Sequence, residues 1–235
     1  MGSLSDALIE ALKLLLTGDE ATWTIIGISF RVSTLAILSA VPPALLTAFL
    51  LAHFRFPGRK LLISIFSALM SVPAVVVGLT LFVLLSRHGP LGDWRMLFTQ
   101  TAMVMGQFLL SFPILVSMAL AAFQSVDQRA WETARTLGAD PMQAFFTLLH
   151  EVRFGLMTAL LAGFGRIIAE VGASMMLGGN ILNYTRNIPT AIALETSKGN
   201  FAQGIALGIV LVLLAFVLNA FLHALSHRNT PQEAL

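Results

Sequence analysis

The chain has 235 residues, of which 57% are hydrophobic and 11% charged, with a formal net charge of +2. A soluble domain carries about a quarter charged residues, so this composition lies outside that class. The small net charge argues against nucleic-acid binding, and the absence of cysteine excludes disulfides, thiolate metal sites and a cysteine nucleophile.

The first residues lack the basic-then-apolar pattern of a signal peptide. Leu4, Leu8, Leu12 and Leu15 instead fall at helical spacing, with Asp6, Glu10 and Lys13 elsewhere on the wheel. Residues 1–20 therefore read as an N-terminal amphipathic segment, lying on the membrane surface or packed on the spans. Residues 21–226 read as an all-α membrane domain with five expected spans: 24–52, 61–85, 97–123, 155–177 and 201–224. Each is long enough to cross a hydrocarbon core of ~30 Å at ~1.5 Å per residue. Residues 227–235 form a polar tail.

The connections set the expected orientation. Segments 53–60, 124–154 and the tail hold Arg55, Arg59, Lys60, Arg129, Arg135, Arg153 and Arg228. The opposite set holds Lys13, Arg87, Arg95, Arg186 and Lys198. The excess of cations on the first set points to that side as cytoplasmic, with the N-terminus outside and the C-terminus inside. Pro42, Pro43, Pro73 and Pro113 interrupt the spans. Such prolines either accommodate ordinary packing or mark a pathway, because freed carbonyls in lipid need protein or water partners. Arg31, near the outer end of the first span, reads as a snorkelling side chain.

Between the third and fourth spans lies WETARTLGADP, Trp131 to Pro141. Ser125 with Gln128 has the spacing of a capping box, opening a helix from about 126 to 137. That helix aligns Ala130, Ala134 and Gly138, and Gly138 is its natural stop. Asp140 can cap a second helix with Pro141 at its first position. Met142, Phe145, Phe146, Leu149 and Val152 give this second helix an apolar face to seat against the bundle. The result is a stiff cytoplasmic elbow, with Trp131 and Leu137 as apolar contacts and Arg129, Glu132 and Arg135 as a charged surround. A solvated connector would not need two caps, a glycine stop and an aromatic face in succession.

Glu132 to Gly138, ETARTLG, resembles the EAA loop of ABC importer permeases, with Thr133 in place of the middle alanine. The family's downstream Leu-Pro is absent from LLHEVRFG. The resemblance extends through RVSTLAILSAVPPALLTAFLLAHFRFPGRKLL, SVPAVVVGLTLFVLLSRHGPLG, QFLLSFPILV, GRIIAEVGASMMLGGNI and TRNIPTAIAL, which look like molybdate- and tungstate-type oxyanion permeases, nearest the tungstate branch. It implies a type I importer fold, with a coupling helix whose contacts to an ATPase involve Trp131, Glu132, Ala134, Arg135, Leu137, Gly138 and Asp140. It also implies a homodimer, two ABC ATPase subunits that bind ATP and Mg, and an extracytoplasmic oxyanion-binding protein, all at the cytoplasmic (inner) membrane.

This chain is expected to carry no cofactor or metal site, and it has no GxxxxGK[ST] phosphate loop. No group of acid, base, nucleophile or metal ligands gathers at one depth, so a catalytic site is not expected. The resemblance orders the cargo as tungstate, then molybdate, then sulfate. An amino-acid importer permease and an ATP-independent channel or scaffold are the other readings.

Arg166 and Glu170 are four apart inside the fourth span and share a helix face. They form either a translocation or gate site for a dianion, or an internal ion pair that orients the helix. The loop from Gly178 to Pro189, with Arg186, is either part of an outer gate and docking face or an ordinary solvated loop.

Overall fold

A computed structural model describes residue 9, residues 12–125 and residues 129–227. The expected amphipathic positions Leu4, Asp6, Leu8 and Glu10 lie outside these residues, as do the Gln128 half of the first capping box and the tail from 228 onward. All regular structure among the described residues is helical.

The first long helix, α1, runs Glu20–His53. Asp19 starts it: the carboxylate accepts the Thr22 N–H at 2.8 Å and the Thr22 hydroxyl at 2.6 Å. Pro42 and Pro43 lie inside α1 without ending it. Ala36, Ala40, Ala44 and Ala48 recur every four residues and are fully buried. This small-residue row lets a neighbouring backbone approach closely. The neighbour is α4, Gln100–Gln124, which packs Leu115, Val116, Ala119, Leu120 and Phe123 into the same core. Thr99 caps α4 by accepting the Ala102 N–H at 3.3 Å.

The second expected span is not one helix. It divides into α2, Arg59–Leu69, and α3, Ala74–Leu85, bent by 99°. Pro73 has no N–H to continue the ladder, and its ring pushes Val72 away from helical backbone angles. The fourth expected span is also divided. After the elbow helices α5, Arg129–Thr136, and α6, Pro141–Glu151, come α7, Arg153–Ile168, and α8, Gly172–Gly178. The α6–α7 bend is 71°.

Residues 178–200, expected as a loop, contain α9, Ile188–Ser197. Asn187 and Thr190 form a reciprocal capping box there, with proline in the first turn. The Ile188 N–H donates to the Ser29 hydroxyl at 2.6 Å, tying α9 to α1. The chain closes on α10, Phe201–His227.

Three helices, α1, α4 and most of α10, are each long and apolar enough to cross a membrane, and the number rises to five if each bent pair counts as one span. The most apolar window of α4 is 61% buried, against 17% for α10. So α4 is the central post, and α10 presents Val212, Leu213, Phe216 and Val217 outward.

Candidate functional site: the cytoplasmic elbow and the broken fourth span

The elbow is built as its residues dictate. α5 ends where Gly138 turns left-handed, at φ +94°. The Leu137 N–H still reaches the Thr133 carbonyl at 3.0 Å, and the Gly138 N–H reaches Arg135 at 3.2 Å. The Arg135 guanidinium donates to the Ala139 carbonyl at 2.8 Å, bracing the turn from inside the loop. Asp140 and Gln143 then form a capping box. The Gln143 N–H donates to the Asp140 carboxylate at 2.8 Å, and the Asp140 N–H donates to the Gln143 side-chain oxygen at 3.0 Å. Pro141 fills the first turn, where its missing N–H leaves no gap in the ladder.

The elbow is fastened to the bundle by aromatics. Phe49 of α1, almost fully buried, lies 5.2 Å from Trp131 and 4.8 Å from Phe145 between ring centroids. Trp131 also lies 5.7 Å from the ring of His53. Trp131 is thus an anchor to its own chain. The apolar face of α6 is rotated from its expected position. Ala144, Phe145, Leu148, Leu149 and Val152 face the core, whereas Met142 and Phe146 point out. Phe145 and Phe146 are ~100° apart on the wheel and cannot share one seat.

Leu137 is 82% exposed, Met142 63% and Phe146 61%. These large apolar side chains flank the tight turn and stay mostly uncovered by the described residues, with Phe146 touching Phe145 at 5.8 Å between ring centroids. The side chains of Glu132 and Ala134 lie outside the described residues. Ser125 donates its hydroxyl to the Ala122 carbonyl at 2.8 Å, at the end of α4, and its expected partner Gln128 lies outside the described residues.

Arg166 and Glu170 meet at 2.8 Å. The pair sits at the break between α7 and α8, and Glu170 does more than pair. Its other carboxylate oxygen accepts the Gly172 N–H at 2.9 Å and the Ala173 N–H at 3.5 Å, capping the start of α8. Gln107 of α4 donates to the Ile167 carbonyl at 3.3 Å on the other side of the break. A break in an apolar bundle frees backbone groups that water cannot reach, and these two side chains satisfy part of that demand. Glu170 is largely buried, while the Arg166 side chain is 47% exposed, so the cation faces the open side.

The sequence singled out Arg166 and Glu170 but passed over Gln107, whose only signal was a polar amide within an apolar helix. Short α8 is wedged between α3 and α4 by glycines. A Cβ at Gly78 would come within 2.9 Å of the Ala173 backbone, and one at Gly106 within 2.5 Å of Leu177. On the outer side, Arg186 donates to the Asn180 carbonyl at 3.4 Å, and Glu195 pairs with Lys198 at 2.9 Å.

Residues 23–231 match the family model described as the binding-protein-dependent transport system inner membrane component. The chain belongs to this family of transport permeases.

The permease is 38% identical over 220 residues to the tungstate uptake system permease TupB of Campylobacter jejuni, covering 94% of this chain and 92% of that one. It is 40% identical over 202 residues to a probable anion ABC transporter permease of Haloferax volcanii, covering 84% and 87%. The molybdenum transport system permease ModB of Escherichia coli is 32% identical over 213 residues, covering 87% and 92%. Among solved structures, a bacterial importer of the acidic polysaccharide alginate superposes with a TM-score of 0.72 at 21% identity, covering 93% of the permease and 83% of that chain. An inward-facing MetNI methionine transporter gives 0.61 at 17% identity, covering 88% and 94%. At such identities these two carry the fold, that of a helical ABC importer permease, and nothing finer.

Proposed function

We propose that this permease moves tungstate into the cell as the membrane-spanning part of an ATP-driven importer. In this reading it works as a homodimer with two ATPase subunits on the cytoplasmic side and an oxyanion-binding protein outside, and has no catalytic chemistry of its own. The N-terminus is outside and the C-terminus cytoplasmic. The support for tungstate is the 38% identity to a tungstate uptake permease over nearly the whole of both chains. A second tungstate permease, from Peptoclostridium acidaminophilum, is 35% identical over 225 residues. Molybdate is the second reading, favoured by the 32% identity to ModB.

The observation that carries the coupling role is the exposed apolar cluster of Leu137, Met142 and Phe146 on a doubly capped turn. Energy from another chain has to arrive mechanically, through contacts that differ between two conformations. A turn held by Gly138, Arg135 and the Asp140–Gln143 box moves as a unit. Trp131 and Phe145 transmit that motion to Phe49 on α1, which packs along α4. Motion at α4 reaches the α7–α8 break through Gln107. Arg166, on the open side of that break, attracts a dianion, and Glu170 keeps its charge balanced so that the anion is passed on.

The test is co-purification from native membranes in mild detergent, followed by ATP-driven uptake in proteoliposomes with the binding protein present. The expected result is an ATPase partner at equal stoichiometry and saturable tungstate uptake that molybdate and sulfate inhibit less well. Recovery of the chain without an ATPase, even after crosslinking, would sink the importer reading. Preferential molybdate uptake would move the substrate assignment to the second reading.

A further inference from the structure

At the end of α1 that carries the elbow, the chain turns through 54–58 into α2 and leaves an open cleft of about 670 Å³. It is lined by Arg55, Phe56, Gly58, Arg59, Lys60 and Leu61. The ion pairs among the described residues are Arg166–Glu170 and Lys198–Glu195, so none of these three cations has a carboxylate partner there. Arg59 is held in place: its Nε donates to the Leu51 carbonyl at 2.6 Å, at the point where the apolar run of α1 ends.

The surroundings of the cleft are apolar and uncovered. Phe54 is 51% exposed and Phe56 39%. Leu61, Ile65 and Leu69 lie four apart on α2 and are 64%, 42% and 44% exposed. They form a continuous greasy row that starts at the cleft and runs along the helix. The sequence assigns the cations only to the charge excess that orients the chain. In the fold, three of them converge on one concave site beside an apolar track.

We infer that this cleft binds the phosphate headgroup of an anionic phospholipid, with an acyl chain lying along the Leu61–Ile65–Leu69 row. Unpaired cations at the edge of an apolar span complement a lipid phosphate, and each contributes to anionic-lipid attraction. The apolar row distinguishes a lipid from free inorganic phosphate, which has no use for it. This inference rests on the membrane-permease assignment alone, so it stands or falls independently of which oxyanion is carried.

The test uses the permease purified with its partner subunits, stripped of lipid and then titrated with phosphatidylglycerol or phosphatidylcholine. Retained lipid is read by native mass spectrometry. The wild-type complex is expected to keep phosphatidylglycerol in preference to phosphatidylcholine. At the typical contribution of one interfacial cation, Arg55→Gln with Lys60→Gln should weaken phosphatidylglycerol retention roughly 30-fold and leave phosphatidylcholine unchanged. The charge-preserving pair Arg55→Lys and Lys60→Arg should keep the preference. Should the double glutamine variant fail to assemble, the exposed single change Lys60→Gln is expected to cost roughly fivefold. Equal retention of the two lipids by wild type, or unchanged phosphatidylglycerol retention in the glutamine variants, overturns the inference. So does inorganic phosphate displacing phosphatidylglycerol as effectively as the lipid itself, which would make this a free-anion site.

Discussion

Replacing Gly138 tests the elbow most directly, because its structural cost can be isolated. The residue sits at φ +94°, and an added Cβ would meet nothing within 4 Å. The Cβ of an alanine at this position therefore meets none of the described atoms. Its intrinsic cost is that of holding an L-residue in left-handed backbone, about 1–2 kcal/mol. That lowers the weight of the native turn about 5- to 30-fold relative to competing turns. Asparagine tolerates left-handed backbone better and should recover much of the loss.

A leucine adds bulk at a turn whose surface is already apolar and uncovered. In proteoliposomes loaded with ATP and the partner ATPase, Gly138→Leu should abolish uptake, Gly138→Ala should reduce it, and Gly138→Asn should retain most of it. Membrane insertion and the yield of the permease itself should be unchanged in all three. Full uptake by Gly138→Leu would refute the argument that a partner's surface closes over this turn. Loss of uptake in the asparagine variant to the same extent as in leucine would show that backbone strain is not the controlling factor.

Leu137→Glu and Phe146→Asp change exposed side chains, so thermal stability of the isolated permease should move by less than about 0.5 kcal/mol; co-purification of the ATPase should nevertheless fall sharply, and normal co-purification would remove these residues from the docking face. Glu170→Ala takes the cap from Gly172 and leaves a buried N–H unpaired, at a cost of about 1–3 kcal/mol, whereas Glu170→Gln retains an acceptor and should unfold closer to wild type in a detergent melt. Arg166→Ala leaves the α8 cap in place, so uptake kinetics should change far more than stability; unchanged uptake would reduce the pair to an internal brace. Gly78→Val drives a side chain into the Ala173 backbone and should destabilise by about 1–3 kcal/mol or more, read as lost assembly on size-exclusion chromatography.

Glu195 gives a pH signature. Its carboxyl is held below the usual carboxylate value of 4.5, chiefly by the hydrogen bond from Lys198, with Asn200 also donating. A depressed folded pKa means the stabilisation is fully present above pH 4.5 and fades as pH falls through the lower folded value. The protection factors of the α9 amides, taken relative to the intrinsic exchange rate at each pH, should therefore drop at the acid end in wild type, and Glu195→Gln should flatten that dependence; an equally steep drop in the variant would discard Glu195 as its source.

The sequence alone determined the features that local chemistry controls. Long apolar runs required membrane-crossing helices, because backbone groups in lipid must be satisfied within the segment. The Gly138 stop and the Asp140–Pro141 start were legible because capping and left-handed turns depend on residues a few positions apart. So was the Arg166–Glu170 pairing, set by one helical turn. The bend at Pro73 was half-legible: the proline was evident, but whether the helix would kink or break depends on what receives the freed groups. Pro42 and Pro43 show the opposite outcome, since α1 continues through them as one helix.

Only the tertiary structure decided what distant partners supply. The α7–α8 break is held partly by Gln107, sixty positions away in sequence, and α9 is anchored by Ser29, 159 positions away. Phe49 gathers Trp131 and Phe145, and that packing turns Trp131 inward and leaves Leu137, Met142 and Phe146 outside. Periodicity says that a helix has an apolar face. Which of two adjacent phenylalanines enters the core is fixed by the space the other helices leave.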